Sequence, residues 1–413
     1  MKHILSLVFC ILLFVTTNGQ SSYPEAMQEG DEAFKKGDYK KAIAKYFAAE
    51  AFDPIKKNVV KDSVNKVFYA IDALRIKAVN DEKQLRIANT KAQKLIDAFY
   101  FYADRFALAF KDGKFYFIDK NGDEAKLGKW EKAEQFDERG FAKVKVKEND
   151  VLHSFLIDTS GNRYKLAYNI KDIDSSIEAL DLSEQSLEQI PPELFIRKGL
   201  KVLILGNVLD SLPEEIGQLA NLTTLDLSGS EQINSLPKEI GSLKKLTSLN
   251  LNGTPLLESL PKEIMELKQL TTLRLTQNHS GSEADSLLKN IWGLKNLTTL
   301  DLNWDQLNTL PSEIGKLANL TTLNLSGCQL YNLPKEIGKL KKLINLDLSF
   351  NYLDSLPKEI WGLTNLRTLN LYGNKKDKNK FFMTESEIRQ IKTQLPNCKI
   401  ITGIDPDEND DDD

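Results

Sequence analysis

Hydrophobic and polar positions follow four successive rhythms along the chain. The first stretch is an apolar run from Ile4 to Val15, behind Met1-Lys2-His3 and ahead of Thr16-Thr17-Asn18-Gly19-Gln20. A basic start, about a dozen apolar residues and small residues at the end make a secretory leader, cut near Gly19. The run is too short for an ordinary membrane-spanning helix of roughly 20 residues, and no later stretch is long and apolar enough for one. Phe9 precedes Cys10 inside the run, which argues against lipidation there. Residues 24–104 then carry helical spacing rich in Ala, Lys and Glu. Residues 105–168 switch to aromatic and β-branched alternation with Gly turns, the pattern of strands and hairpins.

From about residue 177 a fourth rhythm takes over, in which Leu-x-Leu recurs on a long period. Its first leucines are Leu180, Leu203, Leu225, Leu249, Leu273, Leu300, Leu323, Leu346 and Leu369, at intervals of 23, 22, 24, 24, 27, 23, 23 and 23. Between them Pro213, Pro237, Pro261, Pro311, Pro334 and Pro357 each stand before an acidic-apolar pair such as Glu336-Ile337. Proline suits the start of a short helix, where no N–H is needed, and the glutamate beside it favours the positive helix end.

Three resemblances follow from these residues. The long-period array, with its full unit in Leu330–Asn351, resembles the leucine-rich repeat family. The resemblance covers about 220 residues and implies an α/β solenoid with a parallel sheet on its concave side. Alternate leucines then point inward, and the residues between them face out on the sheet. The family also gives the position holding Ser230, Thr254, Asn278, Asp305, Cys328, Asn351 and Asn374 a ladder role, satisfying backbone groups as the chain leaves the sheet. Cys328 is therefore expected buried and structural. Residues 277–285 lengthen one unit and replace its Pro with Leu288, which implies a bulged loop. A helix starting at Thr384-Glu385 and the stretch Leu395–Ile400 look like a C-terminal cap, with Cys398 beneath it.

Upstream, Gly30, Ala42 and Ala49 with Phe34, Tyr39 and Tyr46, a Gly37 break and a closing Pro54 resemble one tetratricopeptide repeat. That implies either a peptide-binding groove or a helical spacer. Phe115–Gly122, echoed 39 residues later by Phe155–Gly161, with Phe136–Val144 between, resembles the bacterial WG-type repeat, although its Trp-Gly pair is missing. Asp119, Asn121 and Asp123 do not form a calcium loop, which needs Gly sixth and an acid twelfth. Here Gly122 is fourth and Trp130 twelfth, so a hairpin turn is expected. The domains read as a 1–19 leader, a 20–104 helical segment, a 105–168 β module, a 169–400 array with cap and a 401–413 acidic, disordered tail.

Composition narrows the function. Lys plus Arg is 55 against 59 for Asp plus Glu, a net charge of −4, which excludes the basic surface of a nucleic-acid binder. Loss of the leader leaves two Cys and two His, too few for a disulfide framework or a histidine metal site. His153 and His279 lie in different modules without motif partners. No Gly-rich phosphate loop, His-Glu-x-x-His or paired-Cys pattern occurs, so no catalytic residue, metal or cofactor is assigned. The reading is a non-catalytic interaction protein with a protein partner. A cell-envelope glycan binder and a hydrolase hidden in 105–168 are the alternatives.

The binding surface is expected on the concave sheet toward its C-terminal half. The middle column reads Asp181, Ile204, Asp226, Asn250, Arg274, Asp301, Asn324, Asp347 and Asn370, acidic with Arg274 its only cation. Two columns over lie Trp304, Gly327 and Phe350, with Tyr372 diagonal to Phe350. Strands about 4.8 Å apart would place the two rings about 9–10 Å apart across Gly327, a gap for one flat side chain or sugar ring. Arg274, Asp301, Trp304, Phe350 and Tyr372 are the candidate binding residues; the alternative is that Arg274 merely pairs with Asp301 and the aromatics shield the rim of the sheet. Export itself is directly testable: N-terminal sequencing of the mature protein should begin near Gln20, and intact Met1 protein confined to the cytosol would contradict it.

Overall fold

The computed structural model describes residues 23–36, 45, 106–137, 139–185, 189–206, 209–276, 288–305, 307–353, 355–377, 380–381 and 385–402. The leader, the 277–285 loop, the acidic tail and most of the tetratricopeptide-like stretch lie outside them. The chain divides into two compact units, Met1–Arg163 and Tyr164–Asp413. Among the described residues no helix is long and apolar enough to cross a membrane.

In the first unit, helix α1 (Tyr23–Lys35) is the described part of the helical segment. The β module holds a hairpin of β1 (Ala107–Lys111) and β2 (Lys114–Ile118). A second antiparallel group joins β3 (Lys132–Ala133), β4 (Phe141–Glu148) and β5 (Val151–Asp158). Both hairpins close on two residues with positive φ, Asp112-Gly113 and Asn149-Asp150, the turn whose twist matches paired strands. Phe106, Phe117, Trp130, Phe136, Val144 and Ile157 form the module's core. The carboxylate of Asp119 accepts from the backbone N–H groups of Asn121 and Asp123. Asp137 does the same for Arg139 and Phe141, and Asp158 for Ser160 and Asn162. Each turn ends on a positive-φ glycine, Gly122, Gly140 or Gly161. Asp119 thus organises a turn, as the sequence implied, and the same device occurs three times.

The second unit is the solenoid. Its parallel strands are β6 (Arg163–Ala167), β7 (Ala179–Asp181), β8 (Val202–Ile204), β9 (Thr224–Asp226), β10 (Ser248–Asn250), β11 (Thr272–Arg274), β12 (Thr299–Asp301), β13 (Thr322–Asn324), β14 (Asn345–Asp347) and β15 (Thr368–Asn370). They pair in sequence order with no register slip. A short hairpin, β16 (Lys375–Asp377) with β17 (Lys380–Phe381), follows β15. Helix α2 (Glu385–Gln394) and strand β18 (Lys399–Ile401) then close the array, β18 pairing in parallel with β15. All nine first leucines of the Leu-x-Leu pairs are at most 1% exposed. Period-2 alternation therefore serves one buried spine, with Ile216, Ile240, Ile264, Ile314, Ile337 and Ile360 entering the same core from the convex side.

Those isoleucines sit on five-residue 3-10 turns, such as Lys335–Lys339, each preceded by its proline in extended conformation. The fixed φ of proline sets the entry. Successive turns pack so closely that their glycines are sterically required. A Cβ on Gly338 would lie 2.6 Å from Glu359 Cβ and 2.7 Å from Glu359 O. At Gly199 the nearest atom would be 3.8 Å away. Gly338→Ala should therefore cost about 1–3 kcal/mol as overpacking, while Gly199→Ala stays near the parent in denaturant unfolding. Equal stability of the two variants would contradict this packing.

Candidate functional site

The concave column begins at the strand ends. Each acid or amide there first serves its own turn. Asp226 accepts from Ser228 N–H at 2.8 Å, Asn324 from Ser326 N–H at 3.1 Å and Asp347 from Ser349 N–H at 2.9 Å. Asn370 accepts from Tyr372 N–H at 3.1 Å and donates to the second Asp347 oxygen at 2.9 Å. This side-chain-to-backbone bond two residues on is the usual habit of Asp and Asn at turns. Asp181, Asp226 and Asn250 are buried, whereas Arg274, Asp301, Asn324, Asp347 and Asn370 are half-buried. The column opens at Arg274, which stands in register between Asn250 and Asp301.

Behind the column runs the ladder. Asn351 Nδ2 donates to the carbonyls of Leu325 at 2.7 Å and Leu348 at 2.9 Å, and its Oδ1 accepts from Leu330 N–H at 2.9 Å. Asn374 repeats this with Leu348 and Leu371. Cys328 takes the same place, its thiol donating to Leu302 O at 3.0 Å. Burial, then the nearby Asp305 carboxylate, push that thiol far above its ordinary range, so it stays a neutral donor. Cys328 and Cys398 are both free. Cys398 packs half-buried against the core, and burial pushes its thiol up to about 11. Among the described residues no cluster of His, Cys, Asp or Glu is arranged to hold a metal ion.

Along the loop edge beyond the strands lies the aromatic ledge. The turn position three residues past the strand has positive φ in six repeats, and Gly229, Gly253, Gly327 and Gly373 occupy it in four of them. Trp304 (φ 59°) and Phe350 (φ 54°) occupy the same position in two others. Left-handed backbone costs a residue with a side chain about 1–2 kcal/mol, and both rings are about half exposed. Sequence spacing separated these rings by a gap across Gly327. Instead they stack, centroids 5.8 Å apart at 29°, and the gap does not exist. Strand spacing fixes where the Cα atoms lie, whereas each ring leans along the array onto the glycine of the next repeat. A Cβ on Gly327 would meet the Trp304 ring at 2.6 Å, and one on Gly373 would meet Phe350 at 2.7 Å. Tyr372 completes the row edge-on to Phe350 at 5.4 Å. Two further exposed rings, Tyr331 and Tyr352, pack at 5.6 Å. They lie off the repeating columns, so periodicity alone could not find them.

Of the candidate residues, Trp304, Phe350 and Tyr372 come together as one row, and Arg274 and Asp301 stand side by side on adjacent strands. With this geometry in view, the comparisons with known proteins place the chain. A model of the leucine-rich repeat region matches residues 179–307 and 277–397, together more than half of the chain, and the protein belongs to the leucine-rich repeat family. No curated protein matches it. Among solved structures it is similar to the leucine-rich repeat domain of the type III effector XopL, at 28% identity over 55% of this chain and 77% of that one, TM-score 0.44. A plant peptide hormone receptor, RGFR1 in complex with RGF2, matches at 27% identity and TM-score 0.42 over 60% of this chain and only 40% of the receptor. Internalin C2 of Listeria monocytogenes matches at 21% identity, TM-score 0.40, over 48% and 81%.

The strained ledge makes a stability prediction. Phe350→Gly and Trp304→Gly relieve the left-handed strain and lose ring packing, so each should unfold within about 1 kcal/mol of the parent or above it. Gly327→Ala adds a Cβ under the Trp304 ring and should fall by about 1–3 kcal/mol. A large loss in both glycine variants would make the rings structural.

Proposed function

We propose that this protein is a non-catalytic, exported interaction protein that holds a partner protein on the open C-terminal half of its concave sheet. The observation that carries the reading is the change at Arg274: five successive strands, β11–β15, present half-open polar side chains in register. A rigid sheet holds such contacts in fixed positions better than loops do. Asp301 and Asp347 outweigh Arg274 in this stretch, so the complementary surface on the partner is cationic. Turn formation occupies the carboxylates of Asp119, Asp137 and Asp158 in the β module, which leaves a hydrolase there with little support.

Cross-linking of the tagged mature protein in its own cells identifies the partner. Arg274→Glu and Asp301→Lys should then weaken its binding by about 2 kcal/mol or more each, with melting unchanged. Full affinity in both, together with loss on removal of residues 20–104, would place the site on the helical segment instead.

A further inference from the structure

Five of the exposed large hydrophobic side chains, Trp304, Tyr331, Phe350, Tyr352 and Tyr372, lie on the loop edge of successive repeats rather than on the strands. Three properties of this ledge are independent of the concave column. Its rings are pre-set: Trp304 and Phe350 each lean on a glycine that leaves room for no side chain of its own, so a ligand would lose little freedom in ordering them. It stands at a turn where sister repeats use glycine at the same positive φ, and strain kept against such an easy alternative points to use. Its described residues also expose no charge. Across residues 303–305, 307–310, 326–333, 349–353 and 372–374 the only carboxylate or cation is Asp305, which is buried. The same loop stretches hold the exposed or half-buried amides and hydroxyl of Asn308, Gln329, Asn332 and Thr309. Directly after Asn374 come Lys375 and Lys376, in the β16–β17 hairpin.

We propose that this ledge is a second binding site, distinct from the concave protein surface, and that it takes a neutral saccharide chain. A sugar ring offers an apolar C–H face to a flat aromatic ring and uncharged hydroxyls at its rim, which amides and hydroxyls meet as both donors and acceptors. An acidic or basic chain would bring charges that find no exposed counter-charge among the described residues of the ledge. A row of rings spread over several repeats, Trp304 stacked on Phe350 and Tyr372 edge-on to it, suits successive units of one extended chain, laid along the array.

Trp304 is also the reporter. Trp130 and Trp292 are buried and Trp361 is half-buried, whereas Trp304 is 53% exposed, so a collisional quencher such as acrylamide reads chiefly Trp304. The mature full-length protein is titrated to millimolar concentration with neutral hexasaccharides of β-1,4-linked glucose, N-acetylglucosamine and xylose, and with a uronic-acid hexasaccharide. At least one neutral chain should shield Trp304 from acrylamide, and calorimetric affinity should fall at least about tenfold in Phe350→Gly. Glycine is the native residue at that turn in sister repeats, so the variant keeps its fold. Trp304→Tyr should retain binding. Arg274→Glu should leave it unchanged, which separates this site from the concave one. No shielding by any neutral chain, equal binding of the uronic-acid chain, or unaltered affinity in Phe350→Gly would each overturn the proposal. So would shielding of Trp304 by a co-purified protein alone.

Discussion

Most strands of the array are three residues long, too short to hold a sheet together by their own hydrogen bonds, and the contact that compensates is leucine against leucine between successive coils. Each fully buried leucine contributes about 1.5–3 kcal/mol, and one coil touches only its neighbours, so the spine grows by addition. Curving inward around that spine forces backbone groups out of reach of ordinary pairing. The ladder of Cys328, Asn351 and Asn374 answers this by taking carbonyls from neighbouring coils. Buried polar groups left unmet would cost more than the ladder gains. The close approach of the 3-10 turns, and hence the glycines beside Glu336 and Glu359, follows from the same coil spacing.

That spacing also explains the loop edge. A chain leaving a three-residue strand must turn sharply toward the convex side, and positive φ at one fixed position does this in repeat after repeat. Glycine is the unstrained choice there. Where Trp304 and Phe350 replace it, the scaffold is stiff enough to hold them in place, and neighbouring glycines make room for their rings. A rigid core thus supports a locally unfavourable surface.

Much of this was legible in the sequence. Nine leucine strands could be counted because two periodicities coincide, alternation within a strand and a recurrence near 23 residues. Cys328 could be placed in the ladder because it aligns with Asn351 and Asn374. The candidate rings were legible too. Their separation was not, since register locates backbones while ring position depends on φ and on what the adjacent glycine leaves open. Nor does alternation distinguish Asp226, buried at its turn, from Asp347, half-open on the same column. Tyr331 and Tyr352 sit where loop geometry, not period, decides the direction of a side chain. The tetratricopeptide-like stretch lies almost wholly outside the described residues, and its groove stays an expectation.

The dependence of everything else on the spine is tested most directly at Leu323, fully buried in β13 at the centre of the array's C-terminal half. Denaturant unfolding of Leu323→Ala, followed by circular dichroism and by the fluorescence of exposed Trp304, should show one coincident transition weakened by about 2–5 kcal/mol. A loss below about 1 kcal/mol, or a ledge that melts separately from the sheet, would contradict a structure held by its stacked leucines.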